Sequence, residues 1–359
     1  MLLRDRGRPR MRRALRVVFP TAAAMAMSTA TAASTIAGKP YVIAVDGVAA
    51  ASAQDSKSFL LSKPGGAYTT ARTCRNGRSV FEWETHVERT AASVEAMLDG
   101  KSAPALRAAL ASAPALRPRL DATVATAMRE FLSSQSSDTD ELKLTVVVNW
   151  DEAAEACAEP SALGSIACHV APLPRLPEPP IRVEVRGAPR ANALAKDSSW
   201  VSDRAPLEAL MKAAAVGAVN ELLLATDAGE LLEGSQTNFY AVLDGAVHTA
   251  GEGILQGTVR RLLLEVCERE GIPVVLAPPR LADAGRWEGA LISSTSRLLL
   301  PIDELYAPAE GEPTGEPDLR RTFDNGAGKE GGGGPPASLA ARLQALVQRE
   351  VESHSTEML

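Results

Sequence analysis

Four short stretches of this 359-residue chain gather residue types able to hold a small anionic molecule. In Glu233-Gly-Ser-Gln-Thr-Asn238-Phe239-Tyr240 a carboxylate stands between a leucine pair and a glycine. Gly253-Ile-Leu255-Gln-Gly257-Thr258-Val259-Arg260 is a glycine loop running straight into an amphipathic helix expected at 258–271. The amides of Thr258 and Val259 would open that helix without intrahelical partners, and the helix dipole favours a phosphate there. Ile292-Ser-Ser294-Thr295-Ser-Arg297 offers hydroxyls. In His86-Val-Glu-Arg89 the guanidinium could take phosphate oxygens two at a time. Taken singly, each stretch also has an ordinary reading. Arg89 could be a solvated helix arginine, Thr295 a polar strand end and the glycine loop a turn. Glu233 could be an exposed hairpin acid, the part assigned to its neighbours Glu221 and Glu230. Two lysines could supply an amine. Lys196 lies in Asn192-Ala-Leu-Ala-Lys196-Asp197, and on local sequence alone a surface lysine is the commoner case. Lys212 lies in 207–214, which reads as a surface helix.

Together, in this order and at this spacing, the four stretches resemble the class IV aminotransferases. That family includes branched-chain and D-amino acid aminotransferases and aminodeoxychorismate lyases. The resemblance spans roughly 41–305. It implies a D-amino acid aminotransferase-like fold of two α/β (α+β) domains, with pyridoxal 5'-phosphate in the cleft between them. A lysine should precede the glutamate by a few tens of residues, and Lys196 does so. By this resemblance Lys196 is the catalytic residue and carries the cofactor. Burial and cationic neighbours would lower its pKa and present a neutral amine. Glu233 would face the pyridine nitrogen and keep it protonated. Arg89, Leu255, Gly257, Thr258, Val259, Ser294 and Thr295 would complete the cofactor site. The implied reaction is transamination between an amino acid, of branched-chain or D-amino acid type, and a 2-oxo acid. The enzyme alternative is a lyase releasing pyruvate from aminodeoxychorismate. A third reading is a non-catalytic relative that binds the cofactor or a partner protein. Family members are commonly dimers, so a homodimer is expected.

Two positions depart from the family pattern. Asp197-Ser-Ser-Trp200 occupies the stretch where branched-chain enzymes often place a tyrosine, and an indole donates but does not titrate as a phenol does. Gln256 stands where proline is common. The run 192–201 looks closest to plant and algal members.

The elements that must position these residues follow from periodicity and turn chemistry. Strands are expected at 41–45, 67–74 and 79–81, the last two joined by Asn76-Gly77. A loop is expected at 58–64. Helices are expected from Glu84, at 103–111 and at 120–132, then a strand at 141–150. The segment 172–180 holds five prolines and reads as an interdomain linker. Strands follow at 181–186, 221–226, 231–233, 238–243, 246–248, 272–277 and 290–294. Ser338 should cap a last helix. The expected organisation is a small N-terminal domain at 39–175 and a larger cofactor-binding domain at 176–324. A flexible Gly/Pro loop at 325–336 and a C-terminal helix and tail at 337–359 follow.

Residues 1–38 differ from the rest. Met1 to Arg16 is arginine-rich with Asp5 its only acid, and Thr21 to Ser34 is entirely Ala, Met, Ser and Thr. This composition reads as a plastid or mitochondrial transit peptide or as a disordered extension; otherwise the protein is cytoplasmic. A secretory signal is a rival, because 17–27 could serve as a short apolar core. Pro20 breaks that stretch, and no segment reaches transmembrane length. The net charge of −6 gives no general attraction to nucleic acid. The four cysteines form no C-x-x-C pair and the four histidines no H-E-x-x-H, so no metal centre is expected. No P-loop (G-x-x-x-x-G-K-S/T) occurs, which disfavours a nucleotide-binding enzyme.

Overall fold

A computed structural model describes residues 40–134, 141–156, 163–213, 216–308, 317–325 and 338–359. The expected leader at 1–38, Cys157 and all of the expected loop at 325–336 except Asn325 lie outside these residues.

The first sheet begins with a hairpin, β1 (Tyr41–Val45) and β2 (Val48–Ser52), turning at Asp46 and Gly47, both at positive φ. Of residues 58–64, expected to be a loop, 62–64 lie outside any helix or strand, but 58–61 belong to helix α1 (Ser56–Leu61). Asp55 caps it by accepting from the Ser58 amide, and Phe59 and Leu60 are buried. Strand β3 (Gly66–Cys74) and β4 (Ser79–Phe81) form the expected hairpin. Helix α2 (Trp83–Met97) follows, then α3 (Pro104–Leu110) and α4 (Ala113–Ser133). Helix α4 starts earlier than expected and carries Pro118 in its second turn. Strands β5 (Leu142–Asn149) and β6 (Ser165–Pro172) complete this part. All pairings are antiparallel, in the order β4-β3-β5-β6-β1-β2. Helices α2 and α4 cover one face, and Trp83, Val87, Val94, Leu120, Val124 and Met128 fill the space against Leu144, Val146 and Val170.

After coil at 173–181 the second sheet is mixed. It contains β7 (Arg182–Val185), helices α5 (Trp200–Asp203) and α6 (Ala205–Ala213), then β8 (Glu221–Ala225), β9 (Leu231–Gly234), β10 (Asn238–Leu243) and β11 (Ala246–His248). Helix α7 (Thr258–Arg269) precedes β12 (Val274–Val275), far shorter than the strand expected at 272–277. Strands β13 (Gly289–Ser294), β14 (Leu298–Pro301), β15 (Glu304–Pro308) and β16 (Pro317–Thr322) follow. The order is β12-β11-β10-β9-β8-β7-β15-β16, with β13 pairing both β10 and β14. Helix α7 and the last helix, α8 (Leu339–Glu350), bury Val259, Leu263, Leu343 and Val347 against β13 and β14. Ser338 caps α8 as expected, its hydroxyl accepting from the Ala341 amide.

The chain then returns to the first sheet. Strand β17 (Ser355–Glu357) pairs with β4, and His354 Nδ1 lies 2.9 Å from Glu82 in the turn before α2. Met358 and Leu359 pack against the first core.

Candidate active site

Lys196 stands in coil, so its placement depends on what grips the backbone on either side. Its amide donates to Ser93 Oγ of α2 at 3.1 Å, and its carbonyl accepts from the Tyr68 amide of β3 at 2.9 Å. Two residues on, Ser198 closes a pair of bonds with Gly66, its amide donating to the Gly66 carbonyl at 2.9 Å and its hydroxyl accepting from the Gly66 amide at 3.0 Å. The segment is thus sewn onto the start of β3. Its amine lies 4.7 Å from the centre of the Tyr68 ring. Burial first, then Arg89, Arg190 and Arg204, push the amine pKa down to about 8, with Tyr68 opposing.

Glu233 closes strand β9. Its carboxylate accepts from Arg190 Nε at 2.8 Å on one oxygen and from the Leu255 amide at 3.1 Å on the other. Burial raises its pKa, and Arg190 and Leu255 oppose that without cancelling it. A carboxylate has about four acceptor sites, so two donors leave capacity for another. Arg190 also donates to the Ala193 carbonyl and lies over the Trp200 ring, 5.5 Å from its centre. The Trp200 indole donates to the Ser235 carbonyl at 2.8 Å. Trp200 therefore braces Arg190, while the phenol beside Lys196 comes from Tyr68.

Arg89 projects from α2. Its hydrogen bonds go to Thr69 Oγ1 at 2.7 Å and His86 Nδ1 at 3.2 Å, and its Nε is buried without a partner. No carboxylate pairs with it among the described residues. Burial pushes its pKa down to about 10, and a buried guanidinium in this state is ready to receive an anion. Helix α7 starts after Gly257 with no side-chain cap, so its first amides stay open. A Cβ at Gly257 would overlap Asn238 Oδ1, and Asn238 in turn holds the Leu255 carbonyl at 2.7 Å. Gln256 secures the same loop from Arg260 to the Gly251 carbonyl, with no need for a proline ring. Thr258 and Thr295 meet hydroxyl to hydroxyl at 3.1 Å.

These groups line one cavity of about 470 Å³. Lys196, Glu233 and Arg89 face it, as do Leu255, Gly257, Thr258 and Val259 of the loop and α7, and Ser294 and Thr295 of β13 and its turn. All nine residues singled out in the sequence are brought together. Lys212, the competing amine, lies exposed on α6. Glu221 is not the exposed acid expected. It is fully buried because β8 lies inside the sheet between β7 and β9, and it binds Ser235 Oγ at 2.6 Å and Arg297 at 3.5 Å. Sequence reasoning passed over Tyr68, Arg190, Arg204 and Lys143, which also line the cavity. Their positions near Gly66, Pro189 and the strand at 142–149 carry no local signal of a site.

A cavity faced by a lysine, a buried glutamate and an open helix start marks the class of protein. The family model described as Amino-transferase class IV matches residues 66–305. The chain belongs to that family. A Methanocaldococcus jannaschii protein with the provisional name branched-chain-amino-acid aminotransferase is 30% identical over 89 residues, 24% of this chain and 31% of that relative's length. Among solved structures, branched-chain aminotransferase from Thermoproteus uzoniensis with norvaline superposes with TM-score 0.61 at 19% identity, covering 89% of this chain and 99% of that one. A hypothetical aminotransferase from Mycobacterium tuberculosis, PLP-bound, gives TM-score 0.60 at 19% identity over 87% and 99%. Similarity at this identity establishes the fold, which is fold type IV.

Proposed function

We propose that the chain is a pyridoxal 5'-phosphate enzyme that transfers an amino group between an amino acid and a 2-oxo acid. The observation carrying this reading is one cavity in which a lysine of lowered pKa, a buried glutamate and an acid-free buried arginine face a common space. The residues fit the cofactor. Arg89 lacks an anion, Thr237 Oγ1 is buried without a partner at the cavity wall, and Gly257 leaves the helix start open. Arg89, the Thr258 and Val259 amides, and Ser294 and Thr295 would hold the phosphate. Glu233 would hold the ring nitrogen, with Arg190 fixing the carboxylate. The bound cofactor supplies a sink for the electrons left when the substrate's α-proton departs. Lys196 would carry the cofactor and, as a neutral amine, would move a proton at the substrate α-carbon. Tyr68 holds the amine over its ring and excludes water from that side.

The relatives' names favour a branched-chain donor, whereas the D-amino acid type stands on the sequence resemblance alone. A second reading is pyruvate release from aminodeoxychorismate. It uses the same lysine, and the cationic lining favours it because that substrate carries two carboxylates. A homodimer and an organellar destination read from 1–38 belong to the proposal. The test supplies amino acids with 2-oxoglutarate in one assay and aminodeoxychorismate in another. Glutamate formation without pyruvate supports transamination and removes the lyase. Neither product, together with no near-visible absorption band after adding pyridoxal phosphate, refutes the proposal in favour of a non-catalytic relative.

A further inference from the structure

Arg89 is gripped by groups that do not cancel its charge. Both of its hydrogen bonds leave from one nitrogen, Nη2, to Thr69 Oγ1 at 2.7 Å and to His86 Nδ1 at 3.2 Å. Thr69 and His86 also meet each other, Oγ1 to Nδ1 at 2.7 Å. The three groups form a closed triangle between β3 and α2. Thr69 is 1% exposed and His86 is fully buried. The other ring nitrogen, His86 Nε2, is buried with no partner. Arg89 lines the cavity, whereas His86 and Thr69 stand behind it.

Counting hydrogens fixes the state of the ring. A guanidinium only donates, so Nη2 is the donor in both of its bonds. A proton on His86 Nδ1 would aim a second donor at Nη2, positive end against positive end. Nδ1 is therefore bare. The Thr69 hydroxyl donates to Nδ1 and accepts from Arg89, and the ring proton resides on Nε2. That N–H has no acceptor, which is costly in a buried place. The cost has a reason if the bare nitrogen is what the site needs. Burial first, then the positive charges of Arg89 and Lys196, hold the imidazole pKa well below its usual value, so an imidazolium is disfavoured. A carboxylate in the place of the ring would grip Arg89 harder but neutralise it. Two neutral acceptors aim the guanidinium and leave its charge for the ligand.

We infer that His86 is a positioning residue for the cofactor: its bare Nδ1, together with the Thr69 hydroxyl, seats Arg89 for the phosphate. This rests on the pyridoxal phosphate reading and deepens it. His86 acts only through Arg89.

The test is fluorescence titration of the cofactor-free full chain with pyridoxal phosphate at pH 7. His86→Leu removes the acceptor and should weaken binding about tenfold or more. His86→Asn returns an acceptor near the Nδ1 position, its side-chain carbonyl, and should bind within about threefold of the unaltered protein. Thr69→Val is nearly isosteric and at home in a strand, so it keeps the test standing should His86→Leu fail to fold; it should weaken binding about fivefold. In an Arg89→Met background these changes should alter affinity by about twofold at most. Undiminished binding in both His86→Leu and Thr69→Val overturns the inference. So does an equal loss in His86→Asn and His86→Leu, which would mark a packing role. The ring state is read directly by long-range nitrogen–proton correlation NMR on the cofactor-free chain, whose four histidines give four rings, His86→Asn removing one. A neutral Nε2–H pattern at pH 7 supports the seat, and an Nδ1–H or imidazolium pattern overturns it. No pyridoxal phosphate binding by the unaltered protein would sink the cofactor reading and this inference with it. Tight binding that the variants leave untouched sinks the inference alone.

Discussion

In protein stripped of cofactor, the Lys196 amine should titrate about pH 8, against 10.5 for an ordinary lysine. The cause is removal of the ammonium from water, reinforced by three guanidinium groups. The shift is about 2.5 units, or about 3 kcal/mol at 1.36 kcal/mol per unit. At pH 7 about a tenth of Lys196 would be neutral, roughly three-hundredfold more than for an unshifted lysine. The sign for stability follows by linkage. The unfolded chain holds this proton more tightly, so the burial cost is present in full below pH 8 and is relieved as pH rises from 8 to 10.5. Lys196→Met should therefore stabilise the cofactor-free protein by about 1–3 kcal/mol at pH 7, and the gain should vanish by about pH 11. Competitive acetylation read by mass spectrometry, with exposed Lys212 as internal reference, gives the midpoint; urea unfolding at both pH values gives the stability difference. A Lys196 midpoint at 10 or above, or a pH-independent effect of Lys196→Met, would refute the reasoning.

Arg190→Gln should cost about 3–5 kcal/mol in urea unfolding, because it leaves Glu233 buried without its cation. It should also raise the Glu233 pKa further, seen as a pH-shifted absorption of bound pyridoxal phosphate. Gly257→Ala places a methyl on Asn238 Oδ1 and so disturbs the Leu255 loop. It should lower stability by about 1–3 kcal/mol, and fluorescence titration should show weaker cofactor binding. Ser338→Ala removes the α8 cap and should lower stability by about 1 kcal/mol, read from the urea midpoint, with the cofactor's absorption spectrum unchanged.

The parts of the fold most readable from sequence were those with strong local chemistry. Asn76-Gly77 between two strands and Gly271 ending α7 are local signals, and both elements form as expected. Strand β2, Val-Ala-Ala-Ala-Ser, has no branched alternation to announce it, and Leu298-Leu-Leu-Pro301 is an apolar run of no clear period. Both are fixed by partners distant in sequence. The loop expected at 58–64 holds only at 62–64, because Asp55, outside that window, caps a helix that runs to Leu61. Glu221 was misjudged for the same kind of reason. Its neighbourhood reads as a hairpin, but whether a hairpin is exposed depends on which strands flank it. The nine candidate site residues were found through the order of four motifs, none of which was compelling alone. Lys57, Lys143 and Arg204 belong to no motif, and only the packing of α1, β5 and α5 brings them to one wall.

The last strand has a bearing on how the molecule is made. The first sheet is assembled from residues near the beginning of the chain, yet its β4 edge is covered by residues 355–357. During translation that edge stays open until residues 355–357 have left the ribosome. Closure of the first sheet therefore waits on residues made after the whole of the second sheet, and bulk introduced beside Met358 and Leu359 would crowd the place where they settle.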